Sequence, residues 1–194
     1  MSSHHFVREG QEPALLIIDP VPFREAAELL EWAPLLVITE NALEAALSWS
    51  VKIDVVICAP GREEDVYSCL QHQMPVGVLA ESPSDWIKAG IDYMKNAGYS
   101  NIHLLTQRRN EVFRVLKDSE ALQVTVFDNS HRWIQTKDFR KWIAARQTFQ
   151  VFPESLVGDL KIEGLKLTLN EFHVERDGII SITGPSPFWV GEKI

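Results

Sequence analysis

The chain has 194 residues, 45% hydrophobic and 24% charged, with a formal net charge of −8 at pH 7. That is the composition of a globular protein able to bury a substantial core, and the acidic balance excludes a nucleic-acid footprint, which needs a dense basic patch where this chain offers only Arg108-Arg109. No apolar run approaches the roughly 20 residues that span a bilayer, and Met-Ser-Ser-His-His lacks the basic and hydrophobic regions of a signal peptide, so no membrane partner is expected and the chain is placed in the cytoplasm.

From Ala14 to about Leu122, short β-rich runs alternate with helical patterns. "ALLIID", "PLLVIT", "DVVIC", "PVGVLA" and "NIHLLT" are separated by "FREAAELLEW", "ALEAALSW", "EEDVYSCLQH" and "SDWIKAGIDYMKNAG". This alternation predicts right-handed βαβ crossovers and a mostly parallel sheet. The run Val55-Val56-Ile57-Cys58 is apolar on both faces, as in strands covered from both sides. It ends in the turn Ala59-Pro60-Gly61, which carries no ligating side chain. In the helix that follows Pro75–Ala80, Ser82 is expected as the N-cap, Pro83 at N1 and Asp85 at N3. Ile87, Ile91 and Met94 recur at helical spacing and Gly98 is the expected stop. The two cysteines, Cys58 and Cys69, have neither a disulfide nor a metal spacing and read as buried thiols.

From Gln123 onward the pattern changes. "LQVTVFD", "TFQVF", "LKIEGLKLTL", "EFHVE", "IISIT" and "PFWVG" read as short strands, with Arg176-Asp177-Gly178 as a hairpin turn. The expected class is therefore α/β: residues 1–122 a mostly parallel, Rossmann-like sheet with helices on both faces, and residues 123–194 a small antiparallel β-sandwich or half-barrel. Six histidines (His4, His5, His72, His103, His131 and His173) show no metal spacing. Ser130, His131 and Asp128 assemble a triad on paper, but neighbours on one strand end rarely converge in that geometry. Trp133, Trp142 and Trp189 suit a core or a subunit interface.

The order of these pieces resembles the thiamine pyrophosphokinase family, which moves a pyrophosphoryl group from ATP to thiamine with magnesium. "PLLVITENALEAALSWSVKIDVVICAPGRE" is similar to that family's strand ending in Asp-Gly-Gly, its helix, and its "PDVVIGD" strand leading into Asp-Phe-Asp. "SPSDWIKAGIDYMKNAGYSNIHLL" resembles its T-D-x-x-K-A-L helix and following strand, "FQVFPES" its "SLFPLS", "GLKLTL" its "GLKYPL", and "SPFWVG" its last strand. The resemblance implies a thiamine-binding β domain after a catalytic α/β domain, and a homodimer whose subunits share the substrate site.

Against that pattern, Ala59-Pro60-Gly61 stands in place of Asp-Phe-Asp, removing two carboxylates from a site whose hard cation needs oxygen ligands. Glu40-Asn41-Ala42 replaces Asp-Gly-Gly. Thr106-Gln107-Arg108-Arg109-Asn110-Glu111 stands where the family has Gly-Gly-Arg-x-Asp-His, and no Ser-Asn pair for the thiamine ring is found between Leu169 and Ile180. Glu40, Asp85 and Lys88 are the vestigial catalytic candidates, and Glu40 and Asp85 the weak metal candidates. Arg108 and Arg109 are candidates for holding an anionic cofactor group. Glu63, Glu64 and Asp65 read as ordinary acids of a helix's first turn. The expectation is a catalytically degenerate member acting as a binding or interaction protein, with a small molecule as its ligand. The alternatives are an active pyrophosphokinase with a rearranged site, which alone would need Mg2+ and ATP, and a structural dimerisation partner.

Overall fold

The structure is a computed structural model, describing residues 13–31, 34–117, 122–168 and 171–194. His4, His5 and Leu169 thus lie outside the described residues. Two compact units divide the chain, Met1–Val124 and Thr125–Ile194.

The first unit alternates strands and helices. These are β1 (Ala14–Ile17), α1 (Phe23–Leu30), β2 (Leu36–Thr39), α2 (Glu40–Leu47), β3 (Val55–Cys58), α3 (Glu63–Cys69), β4 (Gly77–Ala80), α4 (Trp86–Asn96), β5 (Asn101–Leu105) and α5 (Arg109–Val115). Among these the strands pair only in parallel, in the order β5-β1-β2-β3-β4. Every residue of β1, β2 and β3 is buried, which fits runs that are apolar at each position rather than at alternate ones. α4 packs on β1, β2 and β3. A Cβ on Gly90 would stand 2.7 and 2.8 Å from the two Leu16 methyls, so glycine is what permits that close approach.

α4 departs from expectation at its start. It begins at Trp86 with Asp85 as N-cap, and no side chain caps it. Residues 82–85 form a separate turn closed by Asp85 N–H on the Ser82 carbonyl at 2.8 Å. Ser82 Oγ sits 3.0 Å from Ser84 Oγ instead of capping. Burial of Trp86, whose Nε1 donates to the Glu81 carbonyl at 2.9 Å, fixes the start. The other end is as expected. Gly98 has φ +93°, and Tyr99 N–H reaches the Met94 carbonyl at 3.0 Å, closing the helix in a Schellman pattern.

In the second unit all pairing is antiparallel. β6 (Gln123–Phe127), in which the division between units falls, leads to β7 (His131–Ile143), β8 (Thr148–Phe152), β9 (Lys161–Glu163), β10 (Lys166–Thr168), β11 (Glu171–His173) and β12 (Gly178–Lys193). The order is β10-β11-β8-β12-β7-β6, with β9 also on β12. Two expectations are corrected. "IISIT" and "PFWVG" belong to one 16-residue strand, because β12 runs on through Gly184-Pro185-Ser186-Pro187, where its pairing with β7 is interrupted, to resume at Phe188. Arg176-Asp177-Gly178 is no hairpin turn, since β12 pairs with β7, β8 and β9 and not with β11.

The β7–β12 ladder is folded in half at that interruption. Arg132 Nη2 and Lys141 Nζ both lie 2.8 Å from the Glu192 carboxylate. Nine residues of straight strand would hold Arg132 and Lys141 about 30 Å apart, so β7 must turn back for both to reach one group. Phe139, Phe149, Phe172, Ile182, Phe188 and Val190 fill the space so enclosed.

Candidate functional site

Open parallel sheets present ligands beyond the carboxyl ends of their strands, which here means the loops after β1, β2, β3 and β5. Asp19, two residues beyond β1, is a buried carboxylate. Its Oδ2 accepts from Thr106 Oγ1 at 2.7 Å and from Gln107 N–H at 2.9 Å, and its Oδ1 accepts from Arg108 Nε at 2.9 Å. Arg108 also approaches Glu111 at 3.5 Å through Nη1, while its Nη2 is buried with no hydrogen-bond partner among the described residues.

A second cluster lies one strand away. β1 and β2 are in register at Ile17 and Ile38, and Asp19 and Glu40 each lie two residues beyond that pair. Thr39 Oγ1 ties the two ends together by donating to the Ile18 carbonyl at 2.5 Å. Glu40 opens α2, with Oε2 accepting from Ala59 N–H at 3.1 Å and Oε1 from Arg62 Nε at 2.8 Å. Arg62 in turn pairs with Asp65 at 2.5 Å. Each carboxylate at this edge is therefore already held by an arginine from the neighbouring loop.

Burial alone would raise the Glu40 carboxyl, but the Ala59 amide and the Arg62 guanidinium outweigh it and hold Glu40 below its ordinary value of 4.5. A carboxyl lowered on folding adds stability that is complete above its unfolded value and lost as pH falls through the folded one. Because Arg62 is half exposed, the pair contributes at most about 1 kcal/mol. Glu40→Gln is thus expected to unfold about 0.5 to 1 kcal/mol more easily at pH 7, a gap that narrows as pH falls below 4.5 and closes once wild-type Glu40 protonates in the fold as well. Urea midpoints measured across that range check it, and a gap constant with pH would refute the assignment.

The remaining candidates are more dispersed. Ala59-Pro60-Gly61 forms a turn in which Arg62 N–H reaches the Ala59 carbonyl at 3.1 Å, and Gly61 at φ +85° supplies the left-handed residue. Glu63, Glu64 and Asp65 are the first turn of α3. Asp85 is exposed at the α4 cap, accepting from Ser84 Oγ at 3.3 Å, and Lys88 faces Asp92 at 3.8 Å on the exposed side of α4. Neither is bonded to the Asp19 or Glu40 cluster. Arg109 opens α5, adjoining Arg108 but outside the Asp19 bonds just described. Among the described residues no group of three or more His, Cys, Asp or Glu is arranged to hold a metal ion.

Cys58 is buried, and burial, followed by the Glu63 and Glu40 charges, pushes its thiol up, away from reactivity. Cys69 is exposed at the end of α3, correcting its expected burial. In the second unit Ser130 Oγ does lie 2.7 Å from His131 Nδ1, but Asp128 Oδ1 approaches that same nitrogen, at 3.9 Å. A relay needs serine and carboxylate on opposite ring nitrogens. Asp128 instead closes the β6–β7 turn, accepting from the Ser130 and His131 amides at 3.0 and 2.8 Å.

Sequence reading passed over Asp19, Thr106 and Arg62. A signal existed for the first two: Asp19 ends the run "ALLIID", and laying Gly-Gly-Arg-x-Asp-His on Thr106–Glu111 puts its arginine at Arg108, the residue that grips Asp19.

The first unit is thus an α/β unit with a parallel sheet and a polar, arginine-braced edge, and the second an antiparallel β unit. The fold they make is that of the thiamine pyrophosphokinases. It matches thiamine pyrophosphokinase from Bacillus subtilis at TM-score 0.63 and 10% identity, over 93% of this chain and 98% of that one. It matches the enzyme from Candida albicans at TM-score 0.64 and 9% identity, over 94% and 89%, and that of yeast at 0.64 and 9%, over 95% and 87%. No family model matches the sequence, and no curated protein does.

Proposed function

We propose that this protein keeps the thiamine pyrophosphokinase scaffold as a binding or interaction protein and has lost metal-dependent pyrophosphoryl transfer. The observation that carries the reading is the edge chemistry: Asp19 and Glu40 are spent on Arg108 and Arg62, and Ala59 and Gly61 stand where the resembled family places carboxylates. Against a resident magnesium ion stands that donor set, since an ion that demands several oxygen ligands would have to displace two guanidinium partners. Arg108, with its unpartnered Nη2, remains the best residue for an anionic ligand group, with Arg109 beside it in sequence.

The reading carries a cytoplasmic homodimer, as in the resembled family, with no nucleic-acid or membrane partner. It also carries the finer architecture: helices on both faces of a Rossmann-like parallel sheet, supported by the complete burial of β1 to β3, and a β-sandwich or half-barrel, supported by the folded β7–β12 ladder.

One preorganised electrostatic group is commonly worth a factor of about 10² to 10³ in turnover. Losing two, even non-additively, removes several orders of magnitude. With Mg-ATP and thiamine, no thiamine diphosphate is expected above background. Turnover near 1 per second would overturn this reading in favour of an active enzyme with a rearranged ligand set. An inactive protein that binds neither ATP nor thiamine in calorimetry would favour the structural dimerisation partner.

A further inference from the structure

β4 ends the parallel sheet. It pairs with β3 alone, and no described strand lies on its other side. Gly77 N–H donates to the Asp54 carbonyl at 2.8 Å and Glu81 N–H to the Cys58 carbonyl at 2.9 Å, so alternation turns the backbone groups of Val78 and Ala80 toward the open edge. Every residue of β1 to β3 is buried, whereas in β4 Gly77 and Ala80 are exposed and Val78 and Leu79 half-buried. Sheets commonly blunt such an edge with a lysine, a proline within the strand, a bulge or sheer shortness. β4 uses only the last, with Pro75 and Pro83 falling outside its four uncharged residues. α3 packs against β4, and Tyr67 on α3 and Met74 just before β4 are exposed apolar side chains.

The charge around this edge is one-sided. Residues 51–85, which hold β3, α3 and β4, carry two cations against six acids. Both cations are engaged within the fold: Lys52 Nζ donates to the carbonyls of Ile53, Gln73 and Pro75, and Arg62 holds Glu40 and Asp65. Glu64, in the first turn of α3, and Glu81, directly after β4, are exposed and have no ion pair among the described residues. Both stand at the carboxyl end of the sheet, where β3 and β4 finish.

We propose that β4 takes an extended segment of a partner protein as an added strand, with a lysine or arginine of that segment placed beside Glu64 and Glu81. Bonds to the backbone of Val78 and Ala80 supply affinity, and alternate side chains of the added strand cover the half-buried Val78 and Leu79. The unpaired acids select a basic segment over an acidic one, since like charges at a contact cost more than opposite charges gain. The inference names the partner of the proposed interaction protein and rests on that reading.

The probe is a dye-labelled peptide alternating valine and threonine with a lysine at each end, followed by fluorescence polarisation beside the same peptide with a glutamate at each end. The native chain is expected to bind the basic peptide about tenfold more tightly than the acidic one, a preference that shrinks as salt rises. Val78→Pro removes an outward N–H without touching the ladder to β3, the one place a strand accepts proline, and is expected to weaken binding about tenfold. Glu64→Gln combined with Glu81→Gln changes only exposed side chains, so it tests the charge whatever Val78→Pro does to the fold, and is expected to weaken the basic peptide about threefold. No binding of the basic peptide, equal binding of the two peptides, or binding that a folded Val78→Pro leaves unchanged would overturn the proposal. A dimer of the native chain that Val78→Pro abolishes would also overturn it, by showing that a second copy fills the edge. Turnover of thiamine by a chain that binds the basic peptide in this way would overturn the proposed function and support the edge.

Discussion

Trp133→Ala is expected to destabilise the protein by about 3 to 5 kcal/mol, the range for deleting a large buried aromatic, and to lower its thermal midpoint by about 10 °C. Trp133 is 1% exposed and in contact on all sides. One face lies so close to Gly191 that a Cβ there would stand 2.8 Å from three ring atoms, so deleting the ring opens a cavity directly against that glycine. The ring nitrogen donates to Asp128 Oδ2 at 2.9 Å, and its removal strips a bond from the carboxylate that organises the β6–β7 turn. Trp133→Phe keeps most of the packing and loses that bond, and should cost much less, with about 1 kcal/mol assigned to the hydrogen bond itself. Urea unfolding separates the two. Equal losses would mean that the hydrogen bond and not the packing matters, and a loss under 1 kcal/mol for alanine would refute both roles.

Asp19→Ala should be the most damaging substitution at the carboxyl edge, at about 3 kcal/mol, because truncating one partner of a largely buried ion pair leaves the other without compensation. Three donors lose their acceptor together: Thr106 Oγ1, Gln107 N–H and Arg108 Nε. Arg108 is one-third exposed, so water recovers part of its loss, which keeps the figure at the low end for buried pairs. Arg108→Ala in the Asp19→Ala background should then cost far less than in the native chain. Additive losses in that double-mutant cycle would show that the two side chains do not act as a pair.

The parts of the fold that could be read in the sequence are those written in local pattern. Val55–Cys58 announced a strand buried on both faces because each of its residues is apolar, and Gly98 announced a helix end because a left-handed residue favours glycine. The start of α4 was misread because Ser82 and Asp85 have capping chemistry, while the deciding event, burial of Trp86 against the sheet, is tertiary. "IISIT" and "PFWVG" read as separate strands, yet β12 runs through the Gly184-Pro185-Ser186-Pro187 between them and its pairing with β7 resumes at Phe188, although proline donates no ladder bond. The edge clusters were the least legible. Asp19 meets Arg108 across 89 positions and Glu40 meets Arg62 across 22, separations at which no periodicity or spacing rule operates.

β12 borders β7, β8 and β9, and through them it decides when the second unit can form at all. Its pairings with β7 span 35 residues between Ile143 and Gly178 and 62 between His131 and Lys193. Contacts that distant require long loops to close before any ladder bond rewards the closure, which is the regime of slow folding. The first unit joins β1 to β2 and β2 to β3 across single helices and can assemble as it emerges from the ribosome. β7 can pair with β6 and β8 with β11 sooner, but the edges both strands offer to β12 must wait until residue 193 has been made. During that interval two open strand edges are the part of this chain most exposed to mispairing with other chains.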